Sequence, residues 1–415
     1  MKKKHSCLFT LLFILVFVIQ SITPTAAADN GPAFTTAYAR TVLRASVGLA
    51  TADGETLRSY DLDANRILTP ADARIALRCA VGLDSYTPPT DEGFAAATSA
   101  IADVSAHIYT YEELEEDLAT LSRLMPSRFT YSSLATTADG RNIYCAVLGS
   151  GFANKQIIVD AGIHGSEYLN PAAVMSAIEY CLRNYDAKVY DGKTVREILR
   201  DTDIYVFPMF NPDGIAISQF GLDGIRSSAI RENIQTIYKT QRNAGNTYDS
   251  FDTYLKVWKS NARGVDLNRN FMIEKDGKPY YSGLSSPANE LYAGAYPFSE
   301  PETQAYKTVV ERASDPVAVL SIHSQGKLIY WDCEQNSEGK QAAKRLAYIV
   351  EDETGYYLDM SDSFVGASAD WTMIEKNIPS VTVECGRGHN PLPLAQQAEI
   401  EKAIRTLFLA VAAAY

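Results

Sequence analysis

Apolar and polar positions alternate in short blocks along most of this 415-residue chain. Six apolar runs, at 142–148, 156–161, 203–208, 317–323, 327–331 and 380–384, have the length and side-chain type of buried strands. Between them, apolar residues recur at the three-to-four spacing of helices, over 109–126, 172–184, 338–354 and 394–414. Short strands alternating with helices predict an α/β domain. About 300 residues fit one domain of that class.

The first hundred residues follow another pattern. Residues 34–50 align without gaps on 68–84, matching at Arg40 and Arg74, at Arg44 and Arg78, and at the closing Val-Gly-Leu. Each copy has helical spacing and ends at a glycine, where a helix can stop. Before the second copy runs "DLDANRILTPAD", which sets Asp61, Asp63, Asn65, Thr69 and Asp72 at positions 1, 3, 5, 9 and 12 of an EF-hand-like loop. The Ile67 carbonyl falls at position 7, so one calcium ion could be wrapped there. The alternative is an acidic loop in which Asp72 serves the first turn of a helix. The stretch "DSYTPPTDEG" reads as a linker. The expected organisation is a leader at 1–28, a repeat module at 29–86, a linker at 87–104 and a large domain at 105–415.

The leader has three lysines, an apolar core and small residues near its end, the anatomy of a secretory signal peptide. A secreted protein, extracellular or wall-associated, is expected, with no membrane contact after cleavage; a retained anchor is the rival. Net charge is -12, and losing the lysine-bearing leader makes the remainder more acidic still. That disfavours nucleic acid, which needs clustered positive charge. Six cysteines without a CxxC pair suggest buried small hydrophobes, not a disulfide framework or a thiolate metal site.

Candidate chemistry begins at "DAGIHGSEYLNP", where His164 and Glu167 follow an apolar run. Alone, His-x-x-Glu is a chance pair. His323 ends a second run and Glu384 a third, and strand ends are where an open α/β sheet places its site. The chain has only five histidines, so two at strand ends carry weight. Two imidazoles and a carboxylate suit zinc with a fourth position open. A further carboxylate could then take a proton from water.

Six motifs in order, "HGSE", "NPDG", "GVDLNRNF", "SIHSQG", "ADW" and "VTVECG", resemble the zinc carboxypeptidases of the carboxypeptidase A and T type (funnelins) over roughly 109–415. The resemblance implies a mixed, mostly parallel twisted sheet with helices on both faces. It also implies zinc on His164, Glu167 and His323, and Glu384 as general base. Asn268 and Arg269 would grip a substrate carboxylate through a planar guanidinium, and Asp266 would orient His164. Two positions depart from the family. Lys259 stands where arginine is usual, still a cation for an oxyanion, and Asp362 stands where a mobile tyrosine is expected. Ala369, at the specificity position, is small and uncharged.

The stretches "HSQGKLIYW" and "ECGRGHNPLPL" are similar to the branch that cleaves γ-D-glutamyl-meso-diaminopimelate bonds in wall peptides. Arg387 becomes a candidate substrate contact, with His389 beside it at the rim; a solvent-exposed loop is the alternative for both. The N-terminal repeat resembles dockerin modules, which implies calcium and a cohesin-bearing partner. The expected substrate is a peptide or muropeptide. The alternatives are an exo-carboxypeptidase and a non-catalytic binder on the same scaffold, the latter disfavoured because a binder has no need of Glu384.

Overall fold

The apolar runs become the central strands of one sheet in the computed structural model. It describes residues 34–415 apart from 53, 63–67, 87–90, 95–98, 103–106, 246–247, 276–277, 281–282, 333–336 and 360–365. The strands are β1 Phe129–Thr136, β2 Asn142–Leu148, β3 Lys155–Ala161, β4 Thr202–Phe207, β5 Pro316–Ser324, β6 Leu328–Tyr330, β7 Tyr357–Asp359 and β8 Ser380–Cys385. Their order is β1-β2-β4-β3-β5-β8-β6-β7. The centre is parallel, with β4, β3, β5 and β8 running the same way, while β1 and β2 pair antiparallel, as do β2 with β4 and β6 with β8. The expected mixed, mostly parallel sheet is therefore present. Helices cover a sheet whose inner strands are buried on both faces, as a parallel sheet requires.

Register decides what the central strands deliver. In the parallel β5–β8 pair, His323 lies opposite Glu384, so both side chains point to the same face. Next to them, β3 ends at Ala161 and feeds the loop carrying His164 and Glu167. The helix Leu169–Arg183 follows at once and buries most of its surface. At the C-terminus, the expected single helix over 394–414 is divided into a 3-10 turn Leu394–Gln396 and helices Gln397–Ile404 and Leu407–Ala414. The first of these helices is amphipathic and the last is almost wholly apolar and buried, so each presents a different face to the core.

The chain divides into two units, Met1–Thr90 and Asp91–Tyr415. In the smaller, helices Thr36–Ser46, Gly54–Tyr60 and Pro70–Ala80 surround Val42, Leu62, Ala73 and Ala76. The larger unit starts earlier than the expected linker end at 104. Asp91 accepts from the Ser127 N–H (2.9 Å), and the Gly93 N–H donates to the Leu124 carbonyl (3.1 Å). The carboxylate of Glu179 takes the amides of Ile101 and Ala102 at 2.9 and 2.8 Å. A buried acid thus recruits part of the presumed linker. The expected leader lies outside the described residues, and no described helix is long and apolar enough to cross a membrane. Cys145, Cys181 and Cys385 are free and buried, and Cys79 is free and partly buried.

Candidate active site

Between β3 and the next helix the backbone folds too tightly for ordinary side chains. Gly162 has a φ of +68°, and a Cβ on Gly165 would lie 2.3 Å from the Gly214 carbonyl oxygen and 2.7 Å from that of Trp258. The loop is fastened by Asn211 of the "NPDG" motif, whose side-chain amide donates to the carbonyls of Ile163, Lys259 and Ser260, each at 3.1 Å. Its Oδ1 accepts from the Gly214 N–H (2.9 Å), capping the helix Pro212–Phe220. This buried asparagine is what ties the "HGSE" loop to the Trp258-Lys259 segment.

So held, His164 Nδ1 lies 2.8 Å from Glu167 Oε1, and His323 Nδ1 lies 3.1 Å from Glu167 Oε2. One ligand atom from each of the three residues falls within 4.8 Å of the others, and all three residues are buried. On its far side, His164 Nε2 stands 3.4 Å from Asp266 Oδ1. That is the contact expected of an acid that orients a ligating imidazole. The donor set fits zinc: two nitrogens facing one carboxylate, with an open cavity where a fourth ligand belongs.

Electrostatics at the site follow from burial and this crowding. Burial opposes a charge on His164, but Glu167 and Asp266 outweigh it and lift the ring to about 9. Burial likewise opposes the charge on Glu167, yet the two imidazoles hold its carboxyl well below the usual range. Three buried groups share one cluster of charge, the environment a divalent cation enters readily. Glu384 is pushed up to about 7 by burial, which outweighs the stabilising His323 and is reinforced by Glu167. A carboxyl placed near neutrality can both take and return a proton.

His164, Glu167, His323 and Glu384 line one cavity of about 750 Å³. Asn268 and Arg269 enter it from the turn Leu267–Arg269, capped by Asp266, whose Oδ1 accepts from the Asn268 N–H (3.1 Å). Asn268 Oδ1 accepts from the Ser368 N–H (3.1 Å), locking this turn to the helix Ser368–Ile374 that carries Ala369. Arg269 Nη1 donates to the Asn268 carbonyl (2.8 Å), while its Nε is buried without a hydrogen-bond partner. Lys259 also lines the cavity, 3.1 Å from Glu290.

Arg387 falls outside this group. It is exposed and is not among the residues lining the cavity. Its N–H donates to Gln396 Oε1 (2.8 Å) and its carbonyl accepts from Gln396 Nε2 (2.7 Å), so its backbone is pinned. The same loop instead delivers His389 and Asn390. Asn390 Nδ2 donates to the Ser324 carbonyl (2.6 Å), and the Ser324 N–H donates to Glu167 Oε2 (3.1 Å). Neither Asn390 nor Glu290 was singled out in the sequence. Asn390 lay in a stretch already marked, whereas Glu290 had no local signal.

Of the presumed calcium loop, Asp63, Asn65 and Ile67 lie outside the described residues, as does Asp362 of the large unit. Asp61 is buried. Asp72 Oδ1 accepts from the Leu62 N–H (2.8 Å) and Oδ2 from the Thr69 N–H (2.8 Å), forming a capping box with the Thr69 side chain. In the described part of the loop, Asp72 has the helix-starting role.

Comparison with known proteins adds a family. The zinc carboxypeptidase family model matches residues 114–410. Gamma-D-glutamyl-L-diamino acid endopeptidase 1 of Lysinibacillus sphaericus is 25% identical over 317 residues, 73% of this chain and 72% of that protein. Carboxypeptidase B of Rattus norvegicus is 26% identical over 287 residues, 65% of this chain and 61% of that protein. Among solved structures, thrombin activatable fibrinolysis inhibitor is similar with a TM-score of 0.58 at 19% identity, covering 78% of this chain and 79% of the other. Carboxypeptidase A from Helicoverpa armigera gives 0.55 at 19%, covering 77% of each. The structural likenesses establish the fold. With the family model spanning most of the chain and a His-Glu-His cluster at its expected place, the chain belongs to the zinc carboxypeptidase family and is a metallopeptidase.

Proposed function

We propose that this chain hydrolyses the γ-D-glutamyl-meso-diaminopimelate bond of peptidoglycan peptides. The observation that carries a carboxylate-directed peptidase is the convergence of His164, Glu167, His323, Glu384 and Arg269 on one cavity. Zinc held by His164, Glu167 and His323 would supply a Lewis acid beside the scissile carbonyl. Glu384 takes a proton from the attacking water as the new C–O bond forms. It then gives that proton to the leaving nitrogen as the C–N bond breaks. Lys259 faces the carbonyl oxygen as negative charge develops there. Arg269, with Asn268 beside it, pairs with a free carboxylate of the substrate and so fixes which bond is presented.

Support for the wall substrate comes from three sides. The Lysinibacillus relative is named for cleavage next to a diamino acid. The stretches 323–331 and 384–394 resemble that branch. Ala367 and Ala369 leave the cavity wall open for a long polar side chain. This substrate lies outside the cytoplasm, where the expected leader would send the chain. An exo-carboxypeptidase acting on ordinary peptides is the second reading, favoured by the rat relative and served equally by Arg269.

Rates on two peptides separate them. The chain should cleave L-Ala-γ-D-Glu-meso-diaminopimelate with a kcat/KM at least about 10-fold above that for an all-L tripeptide ending in leucine or phenylalanine. That margin is of the size one pocket contact can supply. If the all-L peptide is the better substrate, the carboxypeptidase reading replaces the wall reading.

A further inference from the structure

Lys259 stands where the family resemblance expects an arginine. An ammonium on a flexible stem lacks the preorganised fork of a guanidinium, so it needs a partner to act at a fixed point. Glu290 meets that need. Its carboxylate lies 3.1 Å from Lys259 Nζ, both side chains are about one-third exposed, and both line the cavity. Of the acids whose charge reaches Lys259, Glu290 acts most strongly, ahead of Glu167 and Asp266.

The backbone on both sides of this pair is fixed. The N–H groups of Lys259 and Ser260 donate to the Asn289 carbonyl at 2.8 and 2.9 Å, so the residue before Glu290 is tied to Lys259 itself. The Lys259 carbonyl accepts from the Gly165 N–H (3.0 Å), one residue beyond His164. On the other side of Glu290, the Leu291 N–H donates to Asp266 Oδ2 (2.8 Å), and Asp266 touches His164. Leu291 holds a φ of +66°, a left-handed conformation that a leucine rarely adopts. Its carbonyl packs where Gly283 has no side chain; a Cβ there would lie 1.8 Å away. A loop built this closely presents one acid to one lysine.

We infer that Glu290 is a positioning residue, holding the Lys259 ammonium where it stabilises the negative charge of the reacting carbonyl. The inference rests on the proposed function, in which Lys259 has that role. A merely superficial ion pair would contribute little and could be removed without kinetic effect.

The test is a double-mutant cycle with wild type, Glu290→Gln, Lys259→Met and the double variant. kcat and KM are measured on the diaminopimelate and all-L peptides, with thermal melting as a check on folding. Lys259→Met should lower kcat about 100-fold, as loss of an oxyanion donor does. Glu290→Gln should lower kcat about 10-fold with KM within about twofold, since the donor is loosened and not removed. The double variant should be no slower than Lys259→Met alone, and Glu290→Asp should recover part of the loss. The inference is overturned if Glu290→Gln leaves kcat unchanged, or lowers it equally when Lys259 is already methionine. Turnover that depends on Lys259 but not on Glu290 overturns this inference alone. A wild-type protein that cleaves neither peptide overturns the proposed function and this inference with it.

Discussion

At Gly165, one methyl group separates a working loop from a broken one. The atoms a Cβ would strike, the carbonyl oxygens of Gly214 and Trp258, belong to backbone and cannot swing aside as a side chain would. Gly165→Ala must therefore shift the loop, and His164 is the adjacent residue. Overpacking of this kind typically destabilises by about 1–3 kcal/mol. The variant should melt lower and retain clearly less zinc per chain than wild type. Unchanged zinc content and unchanged melting would show that the loop has room to spare, contrary to the packing described. Asn211 fastens the same loop through the Ile163 carbonyl.

Elements position the site, and one helix carries a pH dependence with them. The helix Pro301–Arg312 starts with a proline at its first turn, followed by Glu302, which is fully buried. Burial first, and the nearby Asp213 second, push the Glu302 carboxyl up to about 8 from an ordinary 4.5. A carboxyl raised in the folded state stabilises the fold while protonated. That stability is complete below about pH 4.5 and is lost as pH rises towards 8, at about 1.4 kcal/mol for each unit of separation. Glu302→Gln should therefore match wild type near pH 4 and be the more stable protein near pH 8, measured by urea unfolding. An equal difference at both pH values would contradict the assignment. Elements also differed in how far the sequence revealed them. The central strands were legible because burial on both faces makes them continuous apolar runs. β1 was missed because it is an edge strand with Ser132, Ser133 and Leu134 exposed, and β7 because three residues carry no pattern. The helix Pro212–Phe220 is buried nearly all round and so lacks an amphipathic stripe. Ser228–Asn243 does carry a stripe at helical spacing, Ile230, Ile234, Ile237 and Tyr238, and was legible but passed over.

Across the whole molecule, the site is assembled from segments far apart in the large unit: His164 and Glu167 early, Asp266 and Arg269 midway, His323 and Glu384 late. The metal cluster and the base were legible because each stands at or just beyond a strand end, and the sheet register brings those ends together. Glu290 and Asn390 were not, because loops bring them in and only tertiary hydrogen bonds set where those loops lie. Arg387 stands in such a loop too, exposed and absent from the cavity lining. The account as a whole stands on a zinc peptidase in which Glu384 moves the proton. Zinc content and peptide hydrolysis, measured on the same preparations of wild type, His323→Ala and Glu384→Gln, test it most directly. Wild type should hold about one zinc per chain, and His323→Ala should lose most of it. Glu384→Gln should keep its zinc while kcat falls by about 10²–10⁴-fold, the range of general acid–base catalysis. A zinc-loaded Glu384→Gln protein that turns over at the wild-type rate would contradict the mechanism.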